Sequence, residues 1–272
     1  MKKLYTIIII ALFLCSTIAG CKKSTNAAPP DSIPQILSET YYYSGGQGEV
    51  VLYQYDGNGR NIKQTDSNSG AFDTLVYSNS TVLRKSYSSA GTLQQTDTYI
   101  LNSKGLAISY TYGSTKQNKA CIGRIPYIYH MPGLMSFPQE TSYTDTYEYD
   151  ANGYMVKQTW YSSGDTTIMS FQYTNGNRSS YTYSSSSNSE TVKVAYLLNK
   201  QNTIGQYNSG IFFLGKQDRN LPGTISVQYY YQGTCYYDTV QCSYQYDNKN
   251  RVIKQFNLSG SYSDSTSYTY KN

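Results

Sequence analysis

Alternation with a period of two runs through most of this chain. In YSDSTSYTY, residues 262–270, Tyr262, Asp264, Thr266, Tyr268 and Tyr270 share one face, and Ser263, Ser265, Ser267 and Thr269 share the other. In ISVQYYY, Ile225, Val227, Tyr229 and Tyr231 oppose Ser226 and Gln228. One aromatic or aliphatic face against one hydroxylated face is the pattern of antiparallel strands with a single covered side. Little of the chain reads as a long amphipathic helix. Small-residue tips such as SGGQG at 44, SSAG at 88 and SSGD at 162 interrupt the alternation as hairpin turns do. At about 12 residues per strand and turn, the pattern predicts on the order of 15 strands, and a sheet that long must curl, close or fold on itself. The predicted fold class is therefore all-β, a large antiparallel meander of hairpins curled into a soluble barrel or half-barrel.

Repeats organise the meander. YQYDGNGRNIKQT from Tyr53 returns as YEYDANGYMVKQTW from Tyr147 and YQYDNKNRVIKQF from Tyr244, with weaker copies at Tyr99 (YILNSKGLA) and Tyr196 (YLLNKQNTI). The starts are separated by 46, 48, 49 and 48 residues, and Y-x-Y-D alternates with Y-x-L-N, giving a larger unit of about 97 residues. A half-period shows in LVYSN at 75, FQYTN at 171 and YTYKN at 268, so one hairpin takes about 24 residues.

Each copy ends its strand in Asp or Asn, with Gly or Asn three residues later: Asp56 and Gly59, Asn102 and Gly105, Asp150 and Gly153, Asn199 and Asn202, Asp247 and Asn250. An Asx side chain accepts hydrogen bonds from its own turn, and the fourth position asks for a positive φ that Gly adopts freely and Asn tolerates. These ten residues are read as structural turns, each a type I turn closing into a bulged hairpin. A calcium loop would need further carboxylates and a bidentate Glu at its twelfth position. Counting eleven on from Asp56, Asp150 and Asp247 gives Ser67, Tyr161 and Leu258 instead.

The first 20 residues read as a signal peptide: Lys2 and Lys3, an apolar run, then the small residues before Cys21. The run is too short and wrongly flanked for a permanent transmembrane helix. Ile18-Ala19-Gly20-Cys21 resembles the lipobox of bacterial lipoproteins, which implies lipidation of Cys21 and membrane association through that lipid. Several acyl chains on one cysteine make a stable anchor, where one would bind marginally. Residues 21–38 then read as a lipidated N-terminus and flexible tether, and residues 39–272 as a single repeat domain. The expected place is the outer membrane, lipid-anchored, on either its surface or its periplasmic face.

Composition narrows the chemistry. Tyrosine numbers 33, against 7 prolines and 1 tryptophan, which is β composition. Without residues 1–20 the chain keeps 20 Lys and Arg against 17 acids, and no basic cluster, so nucleic acid is not an expected partner. An outer-membrane strand shows Leu and Val to lipid in its middle and keeps aromatics at its ends. Here Tyr occupies strand middles with Ser or Thr opposite, which suits water outside and a tyrosine-lined interior.

The Y-x-Y-D-x-x-G units, with NLPGTI at 220–225 after the apolar IFFLG, resemble an uncharacterised bacterial lipoprotein family, a domain of unknown function described as porin-like in fold. More loosely, they are similar to the YD repeats of Rhs and teneurin-type shells. The resemblance implies a large curved antiparallel sheet or barrel and brings no activity, cofactor or catalytic residue.

Two apolar segments break the meander, residues 114–140 and 208–223, and the 97-residue unit sets them at equivalent places. They read either as core folded over the aromatic face or as the lips of a ligand site. His130 is the only histidine, and no nucleophile motif, metal-ligand spacing or phosphate loop accompanies it. No catalytic, metal or cofactor site is assigned, though Asp145 and Asp264 alternate onto tyrosine faces. After Cys21 the mature chain keeps Cys121, Cys235 and Cys242. Were Cys235 and Cys242 on one strand, they would face opposite sides about 23 Å apart, beyond bonding reach. The function class expected is a non-enzymatic binding or adhesion module taking a glycan on a tyrosine-rich face, or else a structural or accessory subunit of a periplasmic or outer-membrane assembly.

Overall fold

The computed structural model describes residues 33–43, 46–114, 144–162, 165–185, 188–231, 233–260 and 262–272. Cys21, Cys121, His130 and nearly all of the 114–140 segment lie outside these described residues. Strands β1 (Ile36–Tyr43), β2 (Gly46–Tyr55), β3 (Asn61–Asp66), β4 (Phe72–Tyr77), β5 (Thr81–Tyr87), β6 (Leu93–Leu101), β7 (Ala107–Ser114) and β8 (Thr144–Tyr149) come first. Strands β9 (Met155–Ser162), β10 (Asp165–Thr174), β11 (Asn177–Ser184), β12 (Ser189–Gln201), β13 (Asn220–Tyr231), β14 (Thr234–Tyr246), β15 (Val252–Ser259) and β16 (Tyr262–Tyr270) follow. Every strand pairs antiparallel with its sequence neighbours, and β16 pairs with β1 through Glu39–Tyr268 and Tyr41–Thr266, so the barrel closes. Closure removes the unpaired edges that an open sheet of this length would present.

The period-two alternation sorts the wall. Facing β12–β13 pairs Val192–Val227 and Val194–Ile225 are buried at 0 to 8% exposure, while Lys193–Ser226 between them points out. Outward pairs elsewhere are Thr74–Lys85, Thr98–Thr111, Lys157–Ser170 and Ser180–Lys193. A lipid-facing barrel carries an apolar band about 25 Å tall on its outside. This wall mixes hydroxyls and amines with scattered exposed aliphatics such as Leu52, Ile168 and Leu258, and puts most of its tyrosines within. No helix among the described residues is long and apolar enough to cross a membrane.

All turns that follow even-numbered strands gather at one end. Gly59, Gly105 and Gly153 have φ of +74°, +76° and +88°, and Asn250 takes the same role at +58°. The Gly59 N–H donates to the Asp56 carbonyl at 3.0 Å, while Asp56 Oδ1 accepts from the N–H groups of Asn58 and Arg60, both at 2.9 Å. Asn102 and Asp247 hold their turns in the same way. Asn199 and Asn202 do not form such a turn, which corrects the reading from the repeat. Asn199 still lies in β12, and the chain continues from Asn202 into a long segment, with the Asn202 Oδ1 capping the Ile204 N–H at 3.1 Å. After each of the other four turns the register slips by one residue, leaving Ile62, Ile108, Val156 and Ile253 as the extra, bulged position. Such bulges kink the strand and add twist.

Residues 202–219, between β12 and β13, fold back across that end and plug it. Each bulge or strand start leaves backbone groups without a sheet partner, and the plug meets several of them. Ile36 N–H donates to Asn208 O at 2.8 Å, Asn61 N–H to Gly210 O at 3.1 Å and Ala107 N–H to Phe213 O at 2.7 Å. In return the plug's Lys216 N–H donates to Gly153 O at 2.8 Å, and Val252 N–H finds Thr203 Oγ1 at 3.0 Å. Ile211, Phe213 and Leu214 then pack on Leu75, Val82, Tyr99, Leu101 and Tyr147. The segment predicted as 208–223 thus begins earlier and ends before Asn220, which opens β13. The two apolar segments are not equivalent either: β7 ends and β8 begins at the far end of the barrel, opposite the plug.

Candidate functional site

Midway along the inner wall, neighbouring strands place a row of polar side chains. Asp73 on β4 accepts from Arg84 Nε on β5 at 2.9 Å; Arg84 faces Asp97 on β6; Asp97 lies beside Tyr110 on β7; and Tyr110 pairs with Asp145 on β8. Asp73, Asp97 and Asp145 are 0 to 3% exposed. Burial pushes the Asp97 carboxyl above the ordinary range, against the Gln95 amide at 2.7 Å, which favours the ionised form. Burial raises Asp145 to about 7, opposed by hydrogen bonds from Gln158, Tyr147 and Trp160. Across the barrel on β1, burial raises Glu39 to about 6 although the Tyr41 hydroxyl donates to it. A charge taken from water must be paired or neutralised: Arg84 pairs with Asp73, and burial shifts Asp97, Asp145 and Glu39 toward the protonated form.

These acids lie within the packed inner wall and present no open carboxylate pair. Strands β6 and β8 flank β7, which separates Asp97 from Asp145 by about 10 Å along the wall, and neither carboxyl has more than a trace of exposed surface. Among the described residues no group of three or more His, Cys, Asp or Glu is placed to hold a metal ion.

Contact with a ligand is offered instead at the inner rim of the far end. There Trp160 on β9 and Tyr183 on β11 lie 6.4 Å apart between ring centroids, and Tyr183 pairs with Glu190 on β12. Glu190 pairs with Tyr229 on β13, whose ring stacks on Tyr236 of β14 at 5.0 Å and 13°. Asp238, next inward on β14, pairs with Val227 and accepts from Ser259 Oγ at 2.6 Å. Tyr236 is 41% exposed, and the other five side chains of this arc are half-buried. Burial raises the Glu190 carboxyl. Rings open to solvent on one side, flanked by carboxylates that accept hydrogen bonds, suit a polyhydroxylated ligand.

The sequence-predicted residues fall elsewhere. The turn residues all lie at the plugged end. Asp145 and Asp264 do face inward, Asp264 accepting from Asn257 Nδ2 at 2.7 Å. Cys235 and Cys242 both lie on β14, on opposite faces, and both are free. Sequence reasoning missed Trp160, Tyr183, Glu190 and Tyr236 as a group. Their shared signal was position, one or two residues from a hairpin tip on the tyrosine face, and only strand order brings them side by side.

No protein-family model matches the chain, and no curated protein does. Solved structures match its fold. A porin-like protein from Bacteroides vulgatus superposes with a TM-score of 0.57 at 12% identity, over 88% of this chain and 99% of that one. A porin-like protein from Bacteroides uniformis gives 0.54 at 13% identity, over 87% and 98%.

Proposed function

We propose that this chain is an outer-membrane lipoprotein, anchored through Cys21, whose barrel acts as a non-enzymatic binding module for a glycan at its far rim. The observation that carries the reading is the Tyr229–Tyr236 stack, open to solvent beside Glu190 and Asp238. Sugar rings lie flat on such faces, and their hydroxyls donate to the carboxylates, at low entropic cost because tyrosine has few rotatable bonds. The porin-like fold supports the barrel and not the ligand. Binding of oligosaccharides by calorimetry tests it: Tyr236→Ala and Trp160→Ala should each weaken binding about tenfold, a loss of about 1.4 kcal/mol, with the tyrosine near-ultraviolet circular dichroism unchanged. Tyr237→Ala, on the outer wall, should leave affinity as it was. Equal affinities across all variants would sink the rim as the site.

A second reading, an accessory subunit of a larger assembly, draws on that outer wall. Tyr230 and Tyr237 stand 47% and 76% exposed around Cys235 on β13 and β14, the kind of aromatic patch that a protein partner covers. Loss of a co-purifying partner on Tyr237→Ala, with no glycan bound by the unmodified chain, would favour it. The anchor has its own check: palmitate label should enter the full chain in cells and be absent from Cys21→Ala.

A further inference from the structure

The bulged position of the repeat is aliphatic every time, although nothing inside the barrel requires it. Its neighbours Asn61, Ala107 and Val252 are fully buried, and the bulge turns the next side chain outward, so Ile62, Ile108 and Ile253 stand 36%, 43% and 38% exposed. Leu37, Val76 and Ile100 join them at 40%, 51% and 38%, each one residue inside the same end of its strand. Together they form an arc around the plugged end from β15 through β1 to β7, with Leu198 of β12 exposed at 76% at the same end, whereas Leu52, Leu93, Ile168 and Leu258 are scattered singly elsewhere on the wall.

The charges of the described turns concentrate at the same end. Lys104, Lys216, Arg219, Lys249 and Lys271 are exposed there. None of that end's turn carboxylates is exposed: Asp56 and Asp247 hold Arg60 and Arg251, Asp218 holds Arg178, and Asp150 caps the Tyr154 N–H. Among the described turns of the far end the charge is Asp66, which holds the Asn68 N–H and the Ser69 hydroxyl, and no cation. Finally, β1 begins at this end, its first residue bound to the plug, so the chain leading from residue 21 reaches the barrel here.

We infer that the plugged end is a docking face for an anionic phospholipid membrane, with the aliphatic arc and the rim cations as its contacts. The barrel leans on its β15-to-β7 side. The aliphatic side chains then reach the boundary between headgroups and acyl chains, and the lysine stems extend to the phosphates. The far rim with its aromatic arc faces away from the lipid, free for a soluble ligand. Only the direction of the tether rests on the lipid-anchor reading; the rim itself does not.

Removing the lipid separates the two. The chain from residue 21 onward carrying Cys21→Ala, free of the apolar leader, should sediment with vesicles of equal phosphatidylcholine and phosphatidylglycerol and stay in solution with phosphatidylcholine alone. Each rim cation contributes roughly a fivefold gain in partition near an anionic surface, so Lys104→Glu combined with Lys249→Glu should weaken it more than tenfold. Ile62→Ser, Ile108→Ser and Ile253→Ser together should abolish whatever binding survives high salt. Lys193→Glu, exposed on the wall between the ends, should change nothing, and circular dichroism will report whether each variant is folded. Equal sedimentation with both vesicle types, or a Lys193→Glu loss as large as the rim reversal, overturns the docking face. Failure of palmitate labelling would remove the anchor and leave the vesicle result standing.

Discussion

Gly215→Val should lower the melting temperature by roughly 10 °C. Gly215 sits in the plug at φ +86°, and a Cβ there would lie 2.6 Å from Tyr149 Cε1 and 2.8 Å from the Gly153 carbonyl. A β-branched residue is strained at positive φ by about 1–2 kcal/mol, and overpacking adds about 1–3 kcal/mol. For a domain of this size each kcal/mol moves the midpoint by about 2–4 °C. Phe213→Ala should match or exceed it, because a buried ring against Tyr77 and Tyr99 is removed and the truncation costs about 3–5 kcal/mol. Gly57→Ala is the control, since nothing lies within 4 Å of its Cβ position. Thermal melting followed by tyrosine circular dichroism reads all three. A Gly215→Val protein that melts with the unmodified chain would mean that the plug is not seated and that the barrel stands without it.

That dependence on the plug follows from how the barrel is sealed. The bulges aim aliphatics outward but leave the amides of Asn61, Ala107 and Val252 pointing into the end of the barrel, buried and away from water. A buried amide without a partner costs about as much as a lost hydrogen bond. One segment of chain supplies acceptors to all three and fills the space between them with Ile211, Phe213 and Leu214. Plug and bulges are therefore one device, and weakening either exposes the other.

How much of this was legible in the residues depends on how local the cause is. Turns at Asp56, Asn102, Asp150 and Asp247 were legible because the side chain satisfies its own turn and φ at the fourth position restricts the residue type. The two wall faces were legible because a strand has a period of two wherever it sits. Repeat length was misleading. From Tyr53 to Tyr99 the chain builds four strands, β3 to β6, whereas from Tyr99 to Tyr147 it builds only β7 and β8 around the segment after Ser114. The same holds later, where the plug takes the length of a hairpin before β13. Nearly equal spacing of 46 to 49 residues concealed this difference. It also made Asn199 and Asn202 look like a turn and the two apolar segments look equivalent. The buried acid row and the aromatic rim were not legible, because each joins residues on strands whose adjacency only the closed order reveals.

Asp145 should make this protein less stable as the solution turns from acid to neutral, in a way that Asp145→Asn removes. Its carboxyl keeps a proton up to about 7 in the folded barrel, against 3.8 as the ordinary value. Between those limits the folded state binds more protons than the unfolded state, so stability is greatest below about 4 and falls as pH rises through 7. At pH 8 and above the group must stay charged as folding buries it, at a cost on the order of 4 kcal/mol. Asn keeps the shape and an acceptor for Gln158 without the charge. Urea unfolding at pH 4, 6 and 8 should therefore show Asp145→Asn close to the unmodified chain at pH 4, clearly more stable at pH 6 and more stable still at pH 8, with the difference levelling off above about 7. Glu39→Gln should behave likewise but less, since burial raises that group only from 4.5 to about 6. A constant difference between Asp145→Asn and the unmodified chain at every pH would show that Asp145 is ionised in the folded barrel, and that the inner wall is wetter at β8 than the burial of its side chains implies.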